Sequence, residues 1–364
     1  MKKAEDFIVR SEEPLNGEAG LDRLPDCYIT PIARFFVRNH GPIPSIDPAS
    51  HLLAVEGLCR HPKSYRLSDL EREFERAERI ALLQCAGNRR RELMQVKPIP
   101  GELPWDAGAI GTAEWSGFRL RDVLERVRLA DGARHVEFIG LDEISKEEMT
   151  LHFGGSIPLQ KALSEETLLC DRMNGEPLRP EHGFPLRALV PGVVGARSVK
   201  WLARIRLLDE PSWNHWQRKS YRIFPPEVEA ASVNWEEGGM LQDYGAHAVI
   251  CRPGEGGWAA GPSIEFAGYA VPTSGERIER IELSIDGGET WNEVSELDQQ
   301  SRWGWTLWRE VATLPPGKRE VIVRAVDSGG RPQPDDAARL WNLKGYMNNS
   351  WHRVKVRVGE GAEA

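Results

Sequence analysis

The sequence predicts an α+β protein in two parts, a mixed α/β amino-terminal part followed by an all-β sandwich. Three observations predict it. Leu120, Val123, Leu124 and Val127 fall at i, i+3, i+4 and i+7, so 119–128 reads as a helix with one apolar face. Short apolar runs, Ile80 to Leu83 and His135 to Ile139, read as strands that deliver residues to glycine breaks. Beyond Tyr221-Arg-Ile-Phe-Pro-Pro226 the apolar period becomes two: Ile281, Leu283, Ile285, then Val321, Val323, Ala325, then Val354, Val356, Val358. Asp286-Gly-Gly288 closes the first of these as a hairpin turn, and regularly spaced short strands point to an immunoglobulin-like sandwich. The boundary falls near 225, giving parts 1–224 and 225–364.

Size and charge narrow the function classes. The chain has 364 residues, enough for two domains, with 40% hydrophobic and 28% charged residues, as in ordinary globular proteins. A net charge of −8 and a pI near 5.7 argue against nucleic acid as a partner. No apolar run reaches the ~18 residues of a membrane span. The first ten residues hold two lysines but neither an apolar signal core nor a twin-arginine signal, so the expected compartment is the cytoplasm, or the periplasm if a leader was removed. Cysteines at 27, 59, 85, 170 and 251 are odd in number and widely spaced, without a CxxC or zinc-type cluster, which favours a reducing compartment.

Taken in order, residues 1–34 read as irregular and Phe35 to Val37 as a strand leading to Arg38-Asn-His40 and a rigid proline-rich loop. Ser68-Asp-Leu-Glu71 reads as a capping box for a short helix with Leu70 and Phe74 inward. The strand His135 to Ile139 is expected to end at Gly140-Leu-Asp142, and Trp201 to Leu208 reads as another strand. Between these lie loops carrying His182, Arg187, Arg197 and Lys200 beside Gly or Pro turns. Such loops suit a phosphate-bearing ligand, and equally suit scattered surface charge.

The most informative stretch is Ala81-Leu-Leu-Gln-Cys-Ala-Gly-Asn-Arg-Arg-Arg91. It places a cysteine at a strand end beside three guanidinium groups. Positive charge lowers a thiol pKa, and arginines hold oxyanions by bidentate hydrogen bonds. On these residues alone, a buried structural cysteine followed by solvated arginines is the simpler reading.

Six segments taken together resemble signatures of the molybdenum-cofactor-binding sulfite oxidase family. They are Phe35-Phe-Val-Arg-Asn-His40, Gln84-Cys-Ala-Gly-Asn-Arg-Arg90, Gly108-Ala-Ile-Gly111, His182-Gly-Phe-Pro185, Pro191-Gly-Val-Val-Gly-Ala-Arg197 and Trp341-Asn-Leu-Lys-Gly345. They occur in the family's order and span nearly the whole chain. The resemblance implies a molybdenum–molybdopterin cofactor, with Cys85 as the protein thiolate on the metal, a chemically suitable soft ligand. It implies that Phe36, Val37, Arg38, Asn39, His40, Asp142, His182, Arg187, Ser198, Val199 and Lys200 bind the pterin. Of these, His182, Arg187 and Lys200 would grip its phosphate. Arg38, Arg90 and Lys344 would hold the substrate anion, Trp105 would form one wall, and Tyr221 would hydrogen-bond near the metal.

The implied activity is oxidation of sulfite to sulfate, as in the haem-free bacterial- or plant-type enzymes. Tyr221 resembles the sulfite-oxidising pattern, which the assimilatory nitrate reductases of this superfamily lack. Lys344 departs from both patterns, Arg in the one and Met in the other, keeping the charge but losing the planar fork. Gly41 is closer to the nitrate reductases. No His-Pro-Gly-Gly haem segment and no flavin or NAD fingerprint is found in the sequence, so electrons are expected to pass to an external cytochrome or dioxygen. The carboxy-terminal part resembles the family's dimerisation domain and implies a homodimer. Two rival readings remain: a nitrate reductase-like or other oxotransferase, and a non-catalytic binding protein that has lost the metal.

Overall fold

The computed structural model describes residues 3–146 and 149–359, so Met1 and Lys2 of the amino-terminal segment and the last five residues of the predicted sandwich lie outside the described residues. Two five-stranded sheets build the amino-terminal part. One runs Glu176–Pro177, Leu168–Met173, Ile110–Arg119, Arg76–Gln84, with Arg187–Leu189 also paired to Leu168–Met173. The other runs Lys63–Tyr65, Leu53–Gly57, Leu202–Leu208, His135–Lys146, Met149–Pro158, and contains one parallel pair, Leu53–Gly57 with Leu202–Leu208. The helix Leu120–Val127 has its four predicted apolar residues fully buried in the core against these sheets. Burying each such side chain contributes roughly 1.5–3 kcal/mol, which explains why the apolar spacing outweighs a helix of only eight residues.

The carboxy-terminal part is two facing sheets. One contains His247–Arg252, Ser263–Val271, Thr306–Thr313 and Glu296–Asp298; the other contains Trp258–Ala259, His352–Val358, Gly317–Asp327, Ile278–Ser284 and Asn292–Glu293. The alternation read from the sequence holds: Ile281, Leu283, Val321, Val323, Ala325, Val354, Val356 and Val358 form the core between them.

Several local expectations are corrected. Phe35 to Val37 is not a strand, because a turn fixed by Arg34 N–H and Phe35 N–H donating to Pro31 O turns the chain, and only Val37 pairs, with Gly17. Residues 3–34 are more regular than expected, holding the hairpin Ile8–Ser11 with Asn16–Glu18 and the 3₁₀ turn Leu21–Asp26. The strand from His135 runs on to Lys146, absorbing Gly140–Asp142 in a register shift. The short helix is Leu67–Glu73, and its amino-terminal carboxylate is Asp69, accepting from Arg66 N–H at 2.9 Å, so Ser68 is not the cap.

One feature of the topology matters for the site. Met347 N–H donates to Ala86 O at 2.8 Å, and Leu82 N–H to Trp303 O at 2.8 Å, so carboxy-terminal chain reaches both ends of the cysteine stretch.

Candidate active site

The strand Arg76–Gln84 ends directly before Cys85, whose N–H donates to Ala109 O at 2.9 Å. Asn88 then ties the loop down on two sides. Its amide oxygen accepts from Ala109 N–H at 3.0 Å, and its nitrogen donates to Tyr269 Oη at 3.1 Å. Gly87 is required here, since a Cβ would lie 2.6 Å from the Arg90 guanidinium. Gly87 N–H donates to Cys85 Sγ at 3.4 Å. Cys85 is buried, and burial pushes its thiol pKa up against the lowering pull of Arg38 and Arg90. Of the two sequence readings of this cysteine, the buried one holds, and desolvation outweighs the field of the arginines. A thiol so placed is a poor free nucleophile, whereas direct coordination to a metal would deprotonate it.

The three arginines part company. Arg89, expected on a solvated face, is fully buried; its guanidinium forks onto Glu92 at 2.8 and 2.6 Å and donates to Ser350 O at 2.8 Å. Arg90 donates to Lys344 O at 2.8 Å and Leu103 O at 2.9 Å, with Glu102 at 3.4 Å. Arg91 is about half exposed and lies 3.2 Å from Asp106.

Cys85 lines a partly open cavity. Phe36, Arg38, Asn39, His40, Asp142, His182, Arg187, Ser198, Val199, Lys200 and Tyr221, scattered over nearly two hundred positions, all line it. Part of its lining is strongly cationic. Arg187 is buried and donates only to carbonyls, His182 O at 2.9 Å and Ser198 O at 3.0 Å among them, and burial pushes its pKa down to about 10. Lys200 donates to Glu181 O at 2.9 Å and to Asn39 Oδ1, and burial followed by Arg187 lowers its pKa well below the ordinary value. Neither cation is in an ion pair among the described residues. Buried charge without a counter-charge is costly, so this geometry favours an anionic group arriving in the cavity.

Elsewhere in the lining, Tyr221 Oη lies 3.1 Å from His40 Nε2. Burial, then the charges of Arg38, Lys200 and Lys146, hold His40 well below its ordinary pKa, so its ring is neutral. The phenol is kept protonated, its pKa raised by burial, and can donate. Arg38 reaches the wall from Asn16 Oδ1 at 3.2 Å.

Val37 is buried behind the lining, paired to Gly17. Trp105 is fully buried, its indole nitrogen has no partner among the described residues, and its carbonyl accepts from Arg91 N–H. Lys344 lies beyond the lining with Nζ 2.8 Å from Glu102. Three residues were missed by the sequence reading. Lys3 Nζ sits 3.2 Å from Phe35 O, 3.4 Å from His182 Nε2 and 3.7 Å from Glu181, with burial lowering its pKa to about 8. Tyr346 stacks on Tyr221 at 5.4 Å, and Glu102 bridges Arg90 and Lys344. Lys3 and Glu102 carry no sequence signal because each meets its partners only through the fold; Tyr346 directly follows the Trp341–Gly345 segment and was within reach.

The buried histidines make stability pH-dependent. Burial lowers His247 and His352 to about 4, and His40 and His182 well below 6.5. Each folded pKa lies below the unfolded one, so the unfolded chain binds the extra protons and stability is lost as pH falls from about 6.5 toward 4. The melting temperature of cofactor-free protein is therefore expected to fall steadily from pH 7 to pH 5; a flat profile over that window would contradict these assignments.

The chain is similar to known proteins along most of its length. Residues 40–216 match the oxidoreductase molybdopterin binding domain, and residues 239–359 the Mo-co oxidoreductase dimerisation domain. Mitochondrial sulfite oxidase of Homo sapiens is 42% identical over 362 residues, covering 96% of this chain and 65% of that protein, so the chain spans just under two thirds of its length. Sulfite oxidase of Arabidopsis thaliana is 39% identical over 373 residues, covering 96% of this chain and 94% of that protein. The solved sulfane dehydrogenase SoxCD from Paracoccus pantotrophus shares the fold, with a TM-score of 0.78 at 24% identity, covering 98% of this chain and 87% of that one.

Proposed function

Because this chain belongs to the sulfite oxidase family of molybdopterin-binding oxidoreductases, we propose that it oxidises sulfite to sulfate and passes the electrons to an external acceptor. The balance is sulfite plus water giving sulfate, two protons and two electrons. The observation that carries the reading is Cys85 lining one cavity with the buried cations Arg187 and Lys200, neither in an ion pair among the described residues. That donor set fits a metal at one end of a phosphate-bearing group. When bound, the molybdenum–molybdopterin group would supply oxygen-atom transfer and two-electron exchange.

The chain's own residues do the rest. Cys85 is proposed as the thiolate ligand. Lys200, Arg187, His182 and Lys3 would hold the phosphate, and Phe36, Val37, Asn39, His40, Asp142, Ser198 and Val199 would shape and donate to the pterin cleft. Arg38, with Arg90 and Lys344 set behind the wall, draws the sulfite anion in and stabilises charge as sulfate forms. Trp105 backs the Arg90 loop from outside the lining. Tyr221, kept protonated and oriented by neutral His40, presents an O–H donor at the reacting end of the cavity.

Tyr221→Phe is expected to lower kcat by at least ~10-fold while molybdenum content stays at the wild-type level, the pattern of a donor acting in the transition state. An unchanged rate would remove Tyr221 from the mechanism. The reading as a whole is tested by steady-state assays of sulfite with an artificial acceptor against nitrate with an artificial donor. Sulfite turnover in large excess is expected; faster nitrate reduction would favour the nitrate reductase-like alternative.

The proposed division is a catalytic part, 1–224, and a dimerisation part, 225–364, with a homodimer supported by the match at 239–359. We further propose that molybdenum is the chain's only redox centre, without haem or flavin, and that a cytochrome or dioxygen accepts the electrons. No helix among the described residues is long and apolar enough to cross a membrane. Five free cysteines support a reducing compartment, the cytoplasm.

A further inference from the structure

Glu102 stands where an anion-binding site should be purely cationic. Its side chain is 16% exposed, and its two carboxylate oxygens face two different cations, Oε1 to Lys344 Nζ at 2.8 Å and Oε2 to Arg90 Nη2 at 3.4 Å. This is the wall beside the reacting end of the cavity: the Arg90 guanidinium lies 5.3 Å from the Tyr346 ring, which stacks on Tyr221 at 5.4 Å. The charge of Glu102 is felt at both tyrosines, raising the pKa of each beside the effect of burial.

The loop that carries Glu102 is built to offer it. Lys97-Pro-Ile-Pro-Gly-Glu-Leu-Pro104 holds three prolines, which stiffen the chain, and one glycine directly before Glu102. Gly101 has φ +78, so the turn directly before Glu102 is available to glycine at low cost. Arg90 is meanwhile fixed by two carbonyls, Lys344 O and Leu103 O, and cannot swing away from the carboxylate.

We infer that Glu102 is a specificity-determining residue: a built-in counter-ion for Arg90 and Lys344 that weakens the hold on substrate and product oxyanions and so lets sulfate leave. The inference rests on the sulfite-oxidising reading above. A dianion entering beside Arg38 feels Arg90 and Lys344 from behind the wall, where the carboxylate already offsets part of their charge. Without the carboxylate, the same cations would bind oxyanions more tightly, product included, by roughly five-fold or more for one unit charge at this range.

The test compares wild type with Glu102→Gln and Glu102→Asp as cofactor-loaded enzyme, in chloride-free buffer. Sulfate binding is measured by calorimetry, and KM for sulfite and inhibition by sulfate by steady-state assay. Glu102→Gln is expected to tighten sulfate binding about five-fold and lower KM in parallel, whereas Glu102→Asp, which keeps the charge, stays near wild type. A merely structural role gives the opposite sign, since loosening Arg90 and Lys344 would weaken anion binding and raise KM. Unchanged or weaker sulfate binding in Glu102→Gln overturns the inference. The two readings separate cleanly: wild type that binds sulfate but does not oxidise sulfite sinks the functional reading and leaves the calorimetric comparison decisive for Glu102.

Discussion

Cys85→Ser is expected to abolish sulfite oxidation, a loss well beyond the ~10–100-fold typical of changes around a metal's outer shell. The reason is chemical rather than steric. A serine hydroxyl fits the space and keeps the weak acceptor role that Sγ plays toward Gly87 N–H at 3.4 Å. It does not offer a soft thiolate to a metal. The fold should barely notice, because the loop is held by Asn88, by the Cys85 N–H bond to Ala109 O and by Met347 N–H on Ala86 O, none of which uses the sulfur. Thermal unfolding within a few degrees of wild type, with no turnover, is the expected pair of results. Retained sulfite oxidation in this variant would remove Cys85 from the centre of the account.

Lys200→Met is expected to have the second largest effect, and in opposite directions on two readouts. Molybdenum retention should drop at least ~10-fold, since a charge-assisted bond to a phosphate is worth about 1.5–3 kcal/mol. The cofactor-free protein, by contrast, should be as stable as wild type or more stable, by up to ~4 kcal/mol, because an unpaired cation leaves a desolvated site. The pH dependence carries the sign. Burial and Arg187 lower the folded pKa of Lys200 well below 10.5, so the folded wild type resists a proton that the unfolded chain takes up. Wild-type stability is therefore lost as pH falls below 10.5, and the advantage of the Met variant should grow over the same descent. A variant that is less stable without cofactor, yet retains wild-type metal content, would show that Lys200 is structural.

Much of this was legible in the residues. The helix at Leu120–Val127 and the alternating strands of the sandwich follow from local periodicity, which tertiary packing then honours. Eleven cavity-lining positions, Phe36 to Tyr221, were reached through motif resemblance. Their convergence on one cavity is a property of the fold and not of any local pattern. What failed to show were pairings between distant segments. Arg89 looked solvated because Ser350 and Asn348, which bury it, lie some 260 positions on. Lys3 looked like a charged terminus, and only the fold brings it to His182. Glu102 looked like one more loop carboxylate until Lys344 met it. The direction of the Cys85 thiol pKa was not legible for a related reason: charge can be counted along the chain, but burial cannot.

The central claim is that sulfite gives up its electrons at a metal held by Cys85. It is tested most directly by a single turnover without acceptor. Protein purified from a host that makes the cofactor, with its molybdenum content measured, is mixed with excess sulfite under anaerobic conditions and the sulfate is quantified. One sulfate per bound molybdenum in wild type, and none in Cys85→Ser, is the result predicted. Wild-type protein that carries molybdenum yet forms no sulfate would contradict the account.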